Sequence, residues 1–380
     1  MIKAKIPKLS QLTLENFGVY YLKSIQKDNK HNLPLAITDK ELVWRVRWLT
    51  ARGVVLSALI GFASAFVSVY TDLYFADENI WLHYFMLGLN TLIATGIEFY
   101  VLFIIALHTV NAIADLTNTK YSNEQFTEDG PFNIINILAR SAMEIPDPPI
   151  KVLDIDPFKR ISRSKLVIAG FVYKLKIFLS NIMVRLILQR LAGKTFIRFS
   201  IIPFVSVPIT GIWNAIILYK VSRESRLRIF GNLLASDISK NMFNDVLLTR
   251  LSPLARIGCL RAIANAVVLT QNYHPNMIIL LMRFKELLGI EEPDNYDDWG
   301  LFLQTLEAVN DEERYTILDI LTIAAAFDGK ISKLERKHLK EAYKEYSDIY
   351  FERLEKLTLM LTRGNLQEAI KLCEIDGKPG

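Results

Sequence analysis

The side chain most at odds with its surroundings is a carboxylate. Glu98 is the sole charged residue between Asn79 and Ala114. A glutamate inside an apolar helix is costly, so it ordinarily serves a polar pathway, a proton or cation site, or an ion pair. The structural alternative is a protonated carboxyl hydrogen-bonded to a neighbouring helix. Thr91, Ala94 and Thr95 share its helical face within two turns and make up the rest of this intramembrane polar group. A second set of oxygen ligands, Asp319, Asp328 and Glu335, is a candidate weak metal cluster, weighed against ordinary turn and cap chemistry. Asp147, Asp154 and Asp156 match no calcium-loop spacing. His31, His83, His108, His274 and His338 form no H-E-x-x-H, and Cys259 and Cys373 form no C-x-x-C, so neither zinc chemistry nor a disulfide is expected. No Walker loop, G-x-S-x-G elbow, kinase signature or Rossmann fingerprint is present. The expectation is a protein that is no enzyme and needs no cofactor, with an unrecognised lipid-modifying enzyme as one alternative.

The elements that would position these residues divide into two regimes. The 380 residues are 51% hydrophobic and 22% charged with a net charge of +5, which suits a lipid-facing portion joined to a helical soluble one. From Gly53 to Thr71 there is no charge, a length that crosses about 30 Å of hydrocarbon. Ser57, Gly61 and Ala65 recur every fourth residue and offer a face small enough for a second helix. The apolar run around Glu98 exceeds a bilayer, which places its spanning part near residues 83–107. Between the two runs, Asp72 to Trp81 contains no Lys or Arg, whereas both outer flanks are basic. This predicts a hairpin over 51–110 with its tip outside and both chain ends cytoplasmic, the first 50 residues forming a basic cytoplasmic segment.

A third apolar run, Phe199 to Tyr219, is interrupted by Pro203 and Pro208 and flanked by Lys and Arg on both sides. A re-entrant or interfacial segment fits that pattern better than a crossing, with Trp213 and Tyr219 as interface anchors. Across 165–221 and just beyond, Lys174, Lys176, Arg185, Arg190, Arg198, Arg223 and Arg226 are the basic candidates for facing the membrane. Lys174 and Arg185 project opposite to Lys165, Lys176 and Arg190, so Lys165–Arg190 is no simple surface helix; it is either wedged between other elements or broken. Membrane lipids, anionic ones above all, are therefore the expected partners, together with a protein partner or a second copy. With no basic stripe in the soluble part, nucleic acid is not expected.

The segment 111–164 reads as a cytoplasmic linker or docking strap, its Glu144-Ile-Pro-Asp-Pro-Pro-Ile150 stretch forbidding regular helix. From 222 the chain reads as consecutive helices: a connector domain over 222–299, then a small helical domain over 300–380. Ser252-Pro253 and Pro275 open two of these helices, and Asn310/Glu313, Ser332/Glu335 and Asn365/Glu368 have capping-box spacing. The fold class predicted is all-α.

Ala324-Ala-Ala-Phe-Asp328-Gly-Lys-Ile-Ser-Lys-Leu-Glu335 resembles the A-x-A-D-G-x-I-S-x-x-E signature of the TerB-like, tellurite-resistance-type helical domain, with Phe327 as one extra residue. Against an EF-hand loop, Ala324 and Ala326 stand where carboxylates belong, which argues against tight calcium binding. The resemblance covers about residues 300–376 and implies a small helical module of bacterial membrane-stress and defence proteins without a catalytic role. A shorter stretch, Val207-Pro208-x-x-Gly211-x-x-Asn214 followed by Arg223-Glu224-x-Arg226, resembles the re-entrant hairpin and basic exit of EcsC-type membrane-associated proteins. Together these imply a bacterial inner-membrane protein that scaffolds or senses. The other alternative is an oligomeric channel or membrane-perturbing effector, in which Glu98, the small-residue face and the basic third region line a pore.

Overall fold

The computed structural model describes residues 14–28, 38–117, 133–148, 152, 153, 155, 204, 206–243, 245–271, 273–290 and 294–375. Among them the fold is all-helical, with a single isolated bridge between Val152 and Ile155 and no strand. Lys174, Lys176, Arg185, Arg190 and Arg198, together with Asp154 and Asp156, lie outside the described residues. The chain divides into two compact units: a hairpin unit of Arg47–Ala112 and Ser162–Ser222, and a larger unit of Met1–Val46, Ile113–Ile161 and Arg223–Gly380.

Helices α2 (Asp39–Tyr74) and α3 (Ile80–Leu116) supply most of the hairpin unit, with the first half of α5 (Ser206–Asp237) packed against them. Asn79 opens α3 by accepting the Trp81 N–H at 3.1 Å. His83 ties the turn back: Nδ1 lies 2.7 Å from the Phe75 carbonyl and Nε2 lies 3.1 Å from Asp72. The small residues of α2 face the protein. A methyl group on Gly61 would lie 2.6 Å from Asn214 Nδ2 and 3.0 Å from Gly211 Cα, and one on Gly53 would lie 2.7 Å from Thr109 Oγ1 and 2.8 Å from Leu218 Cδ2. Ser57 and Ala65 are buried on the same side. The opposite side is apolar and open: Val55, Leu59, Phe66, Tyr70 and Tyr74 on α2, and Trp81, Phe85, Leu92, Ile97 and Tyr100 on α3.

α5 corrects the expectation of a break at Pro208, whereas Pro203 lies outside the described residues. The helix is regular from Ser206, with Pro208 in the first turn, where a missing N–H breaks no helical bond, and it continues past the predicted boundary near 221. It gives way to a π-helical turn, Ile238–Met242. Among the described residues three helices are long and apolar enough to cross a membrane: α2, α3 and α7 (Pro253–Thr270). Their environments differ, since 67% of the apolar window of α7 is buried inside the protein, against 39% for α2 and 28% for α3.

In the larger unit α7 is the central helix. It packs on α8 (Pro275–Leu287), α9 (Trp299–Ala308), α10 (Asp311–Ala326) and α11 (Lys333–Tyr343). Gly258 allows the closest approach, because a methyl there would lie 2.5 Å from Ile317 Cδ1. A short α6 (Asp245–Arg250) precedes α7, and α12 (Ser347–Arg363) and α13 (Leu366–Leu372) close the chain. The stretch read as a linker contains a buried helix, α4 (Ile134–Ala142), packed on α1 (Leu14–Asp28), with Gly18 against Ala139 and Met143. Its apolar run is too short, and too closely bounded by polar sequence, to stand out as a core element.

Of the three capping-box spacings, Ser332/Glu335 makes both reciprocal bonds. Asn310 accepts the Glu313 N–H, but the Glu313 carboxylate instead accepts the Ser252 N–H at 2.6 Å. Asn365 makes no side-chain cap bond and donates to Glu368.

Candidate functional site

In the hairpin unit three helices assemble a polar site around Glu98. α3 supplies the carboxylate, which is only 4% exposed, and α5 supplies Asn214, whose Nδ2 donates to Glu98 Oε1 at 2.8 Å. α2 makes the space, because Gly61 leaves room for the amide, and it adds the Ser57 hydroxyl, which lies 3.3 Å from the Asn214 carbonyl oxygen. Asn214 is wholly buried, and its Oδ1 has no hydrogen-bond partner among the described residues. Thr91 and Thr95, read as companions of Glu98, are half-buried on α3. Tyr219 is exposed, whereas Trp213 is half-buried.

In the larger unit an unbroken chain of charges runs through the interior. Arg140 on α4, 1% exposed, donates to Glu15 at 2.9 Å and to Asp147 at 3.0 Å. Arg228 on α5 takes both oxygens of the same Asp147 carboxylate, at 3.0 and 2.7 Å, and donates to Glu224 at 2.9 Å. His274 Nε2 lies 3.4 Å from Glu224. Burial alone would raise the Glu224 carboxyl, but the hydrogen bond and charge of His274, with those of Arg228, hold it well below the usual carboxylate range. The proline-rich strap is thus clamped by its aspartate between two arginines from different helices.

The Asp328–Gly329 turn sits against the second half of α5. Gly329 has φ +70°, and Asp328 Oδ1 accepts the Lys330 N–H at 2.9 Å. Asn276 donates to the carbonyls of Leu227 and Phe327 at 2.9 and 3.2 Å and locks the turn to α5. Burial raises both acids of the motif. The Glu335 carboxyl is pushed up to about 7, burial and the neighbouring Asp328 charge outweighing the Ser332 hydrogen bonds. Asp328 is raised as well, burial outweighing His274 and Lys330.

Several predicted site residues are placed otherwise. Asp319 does not join Asp328 and Glu335. Its carboxylate lies 2.6 Å from Arg353, whose other nitrogens hold the carbonyls of Leu372 and Glu374. No metal-holding group of His, Cys, Asp or Glu occurs among the described residues. Arg226 is buried inside the larger unit rather than presented at a surface, while Arg223 is exposed, 3.5 Å from the Gly329 carbonyl. Residues missed in the sequence are Arg140, Arg228 and His274. The one local signal was an acidic residue, Asp147, lodged among prolines. No family model, curated protein or solved structure matches the chain.

Proposed function

We propose that the chain is a non-enzymatic membrane scaffold or sensor. α2 and α3 cross the bilayer as a hairpin, and the larger unit, with its TerB-like module, engages a protein partner or a second copy on the side of the chain ends. The observation that supports it is a match of lengths. The open apolar band of α2 runs from Val55 to Tyr74 and that of α3 from Ile80 to Tyr100, and at helical rise each measures about 30 Å, the thickness of the hydrocarbon core. On α3 the last strongly exposed apolar residue is Tyr100 and Ala106 is buried, which supports a span over about 80–100. Exposed Trp48 and Tyr74 on α2 stand near the two ends as interfacial aromatics. Arg47 and Arg52 are exposed at the basic end, the Arg52 guanidinium 5.9 Å above the Trp48 ring, a surface suited to anionic headgroups. A bacterial inner membrane and a role in stress or defence follow from the TerB-like and EcsC-like resemblances.

The test is extraction of membranes holding the full chain with alkaline carbonate. Retention in the pellet is expected, and release into the supernatant would contradict the hairpin. Ion flux through vesicles carrying the chain, lost on Glu98→Gln, would replace the scaffold reading with a channel.

A further inference from the structure

Helix α11 is short and strongly two-sided. At about 100° per residue, Lys333, Lys337 and Lys340 fall within about 60° of one another, opposite the buried Glu335, Leu339 and Ala342. All three lysines are exposed, and so is Lys330 in the turn before the helix. None of the four forms an ion pair among the described residues. The flanks, by contrast, are engaged. On one side Arg336 lies 2.6 Å from Glu355 and 4.9 Å over the Phe351 ring, and on the other Glu341 accepts the Trp299 N–H at 3.0 Å. Past the helix end Lys344 pairs with Glu307 at 3.1 Å. At the turn the exposed Arg223 extends the row, its guanidinium 3.5 Å from the Gly329 carbonyl. The structure corrects the expectation that the soluble part carries no basic stripe. Acidic and apolar residues separate these lysines in the sequence, and the helical period gathers them.

We propose that this lysine ridge is a docking surface for anionic phospholipid headgroups. The inference rests on the reading of the chain as a membrane protein, which keeps a bilayer within reach of the larger unit.

The chemistry of the ridge favours a lipid surface over a macromolecular partner. A protein interface is anchored by large side chains seated in pockets, and single-stranded nucleic acid by aromatic rings on which bases stack. The ridge offers neither, since Leu334 and His338 beside its lysines are half-buried and Tyr343 is fully buried. Lysine is a compact, strongly hydrated point charge on a flexible stem. Such charges suit the many interchangeable phosphates of a bilayer surface, whereas bidentate recognition of one anion calls for arginine. Charge alone then carries the contact, so salt weakens it.

The experiment uses the full chain in vesicles of phosphatidylcholine, alone or mixed with phosphatidylglycerol. A membrane-impermeant acetylating reagent is applied briefly, and each lysine is read by peptide mass spectrometry. In the anionic vesicles acetylation of Lys333, Lys337 and Lys340 should fall about threefold or more relative to the neutral ones and recover in high salt. Lys356 and Lys371, exposed on α12 and α13, should be unchanged and correct for repulsion of the reagent by the lipid. Replacing the three ridge lysines together by Gln alters no buried side chain and should remove the protection of Lys330. Equal acetylation of the ridge in the two lipids would overturn the proposal. Protection by single-stranded RNA in neutral vesicles, with none from anionic lipid, would overturn it in favour of nucleic acid. Protection in neutral vesicles that grows with protein density would overturn it in favour of a second copy. Alkaline carbonate applied to the same vesicles separates this result from the hairpin. A chain that is extracted but shows protected lysines keeps the ridge and loses the hairpin, and a retained chain with unprotected lysines does the reverse.

Discussion

Replacing Glu335 by Gln should remove a defined part of the pH dependence of the larger unit. Glu335 is almost fully buried, and its carboxyl is raised from 4.5 to about 7 by burial first, with the Asp328 charge adding to it. A raised acid binds its proton more tightly in the folded protein. Its stabilisation is therefore complete below about pH 4.5 and is lost as pH rises through about 7. The gap corresponds to about 3 kcal/mol between pH 5 and pH 8. Asp328, also raised, acts in the same direction. Glu224, held low, keeps its contribution throughout this window and adds no slope. Gln retains the oxygen that accepts the Ser332 N–H at 2.7 Å, so the helix cap survives the substitution. Cys259 and Cys373 are reduced, wholly buried and both in this unit, which makes them reporters of its opening. Urea unfolding of the full chain in detergent would be followed by their reaction with dithiodipyridine at both pH values. The loss of stability from pH 5 to pH 8 should be about 3 kcal/mol greater in the native protein than in E335Q. An equal loss in both would refute the burial argument.

Other substitutions probe other contacts. Gly231→Ala places a methyl against the Asn276 side chain and disturbs its bonds to Leu227 and Phe327, which should cost about 1–3 kcal/mol in the same unfolding assay. Asp147→Ala strips the shared carboxylate from Arg140 and Arg228 and should destabilise by about 3–5 kcal/mol, with faster proteolysis near the strap. Leu92→Arg, in the middle of the open band of α3, should oppose insertion by about 3 kcal/mol and lower the carbonate-resistant fraction. An unchanged fraction would mean that this face does not meet lipid.

What was legible in the sequence was local or periodic. Ser57, Gly61 and Ala65 could be read as a packing face because small residues at fourfold spacing have one use in an apolar helix. The Gly329 turn and the Ser332/Glu335 box are set by residues within a few positions of one another. The partners of charged residues were not legible. Asn214 lies 116 residues from Glu98, and Arg228 lies 81 from Asp147, so no spacing rule joins them. Glu313 has the capping-box position, yet a backbone N–H from another helix start takes its carboxylate. Side chains with several possible acceptors are placed by tertiary geometry, and that choice leaves no trace in the local pattern.

The proposed function rests on α2 and α3 crossing the membrane as a hairpin whose tip is outside the cell, as the charge pattern of its flanks predicts. Ala76, in the turn, and Asp348, on α12, are both exposed and can each be replaced by Cys without disturbing a core. Intact cells treated with a membrane-impermeant maleimide should label Ala76→Cys and should label Asp348→Cys after permeabilisation alone. Labelling of both from outside, or of neither until the cells are opened, would contradict the hairpin.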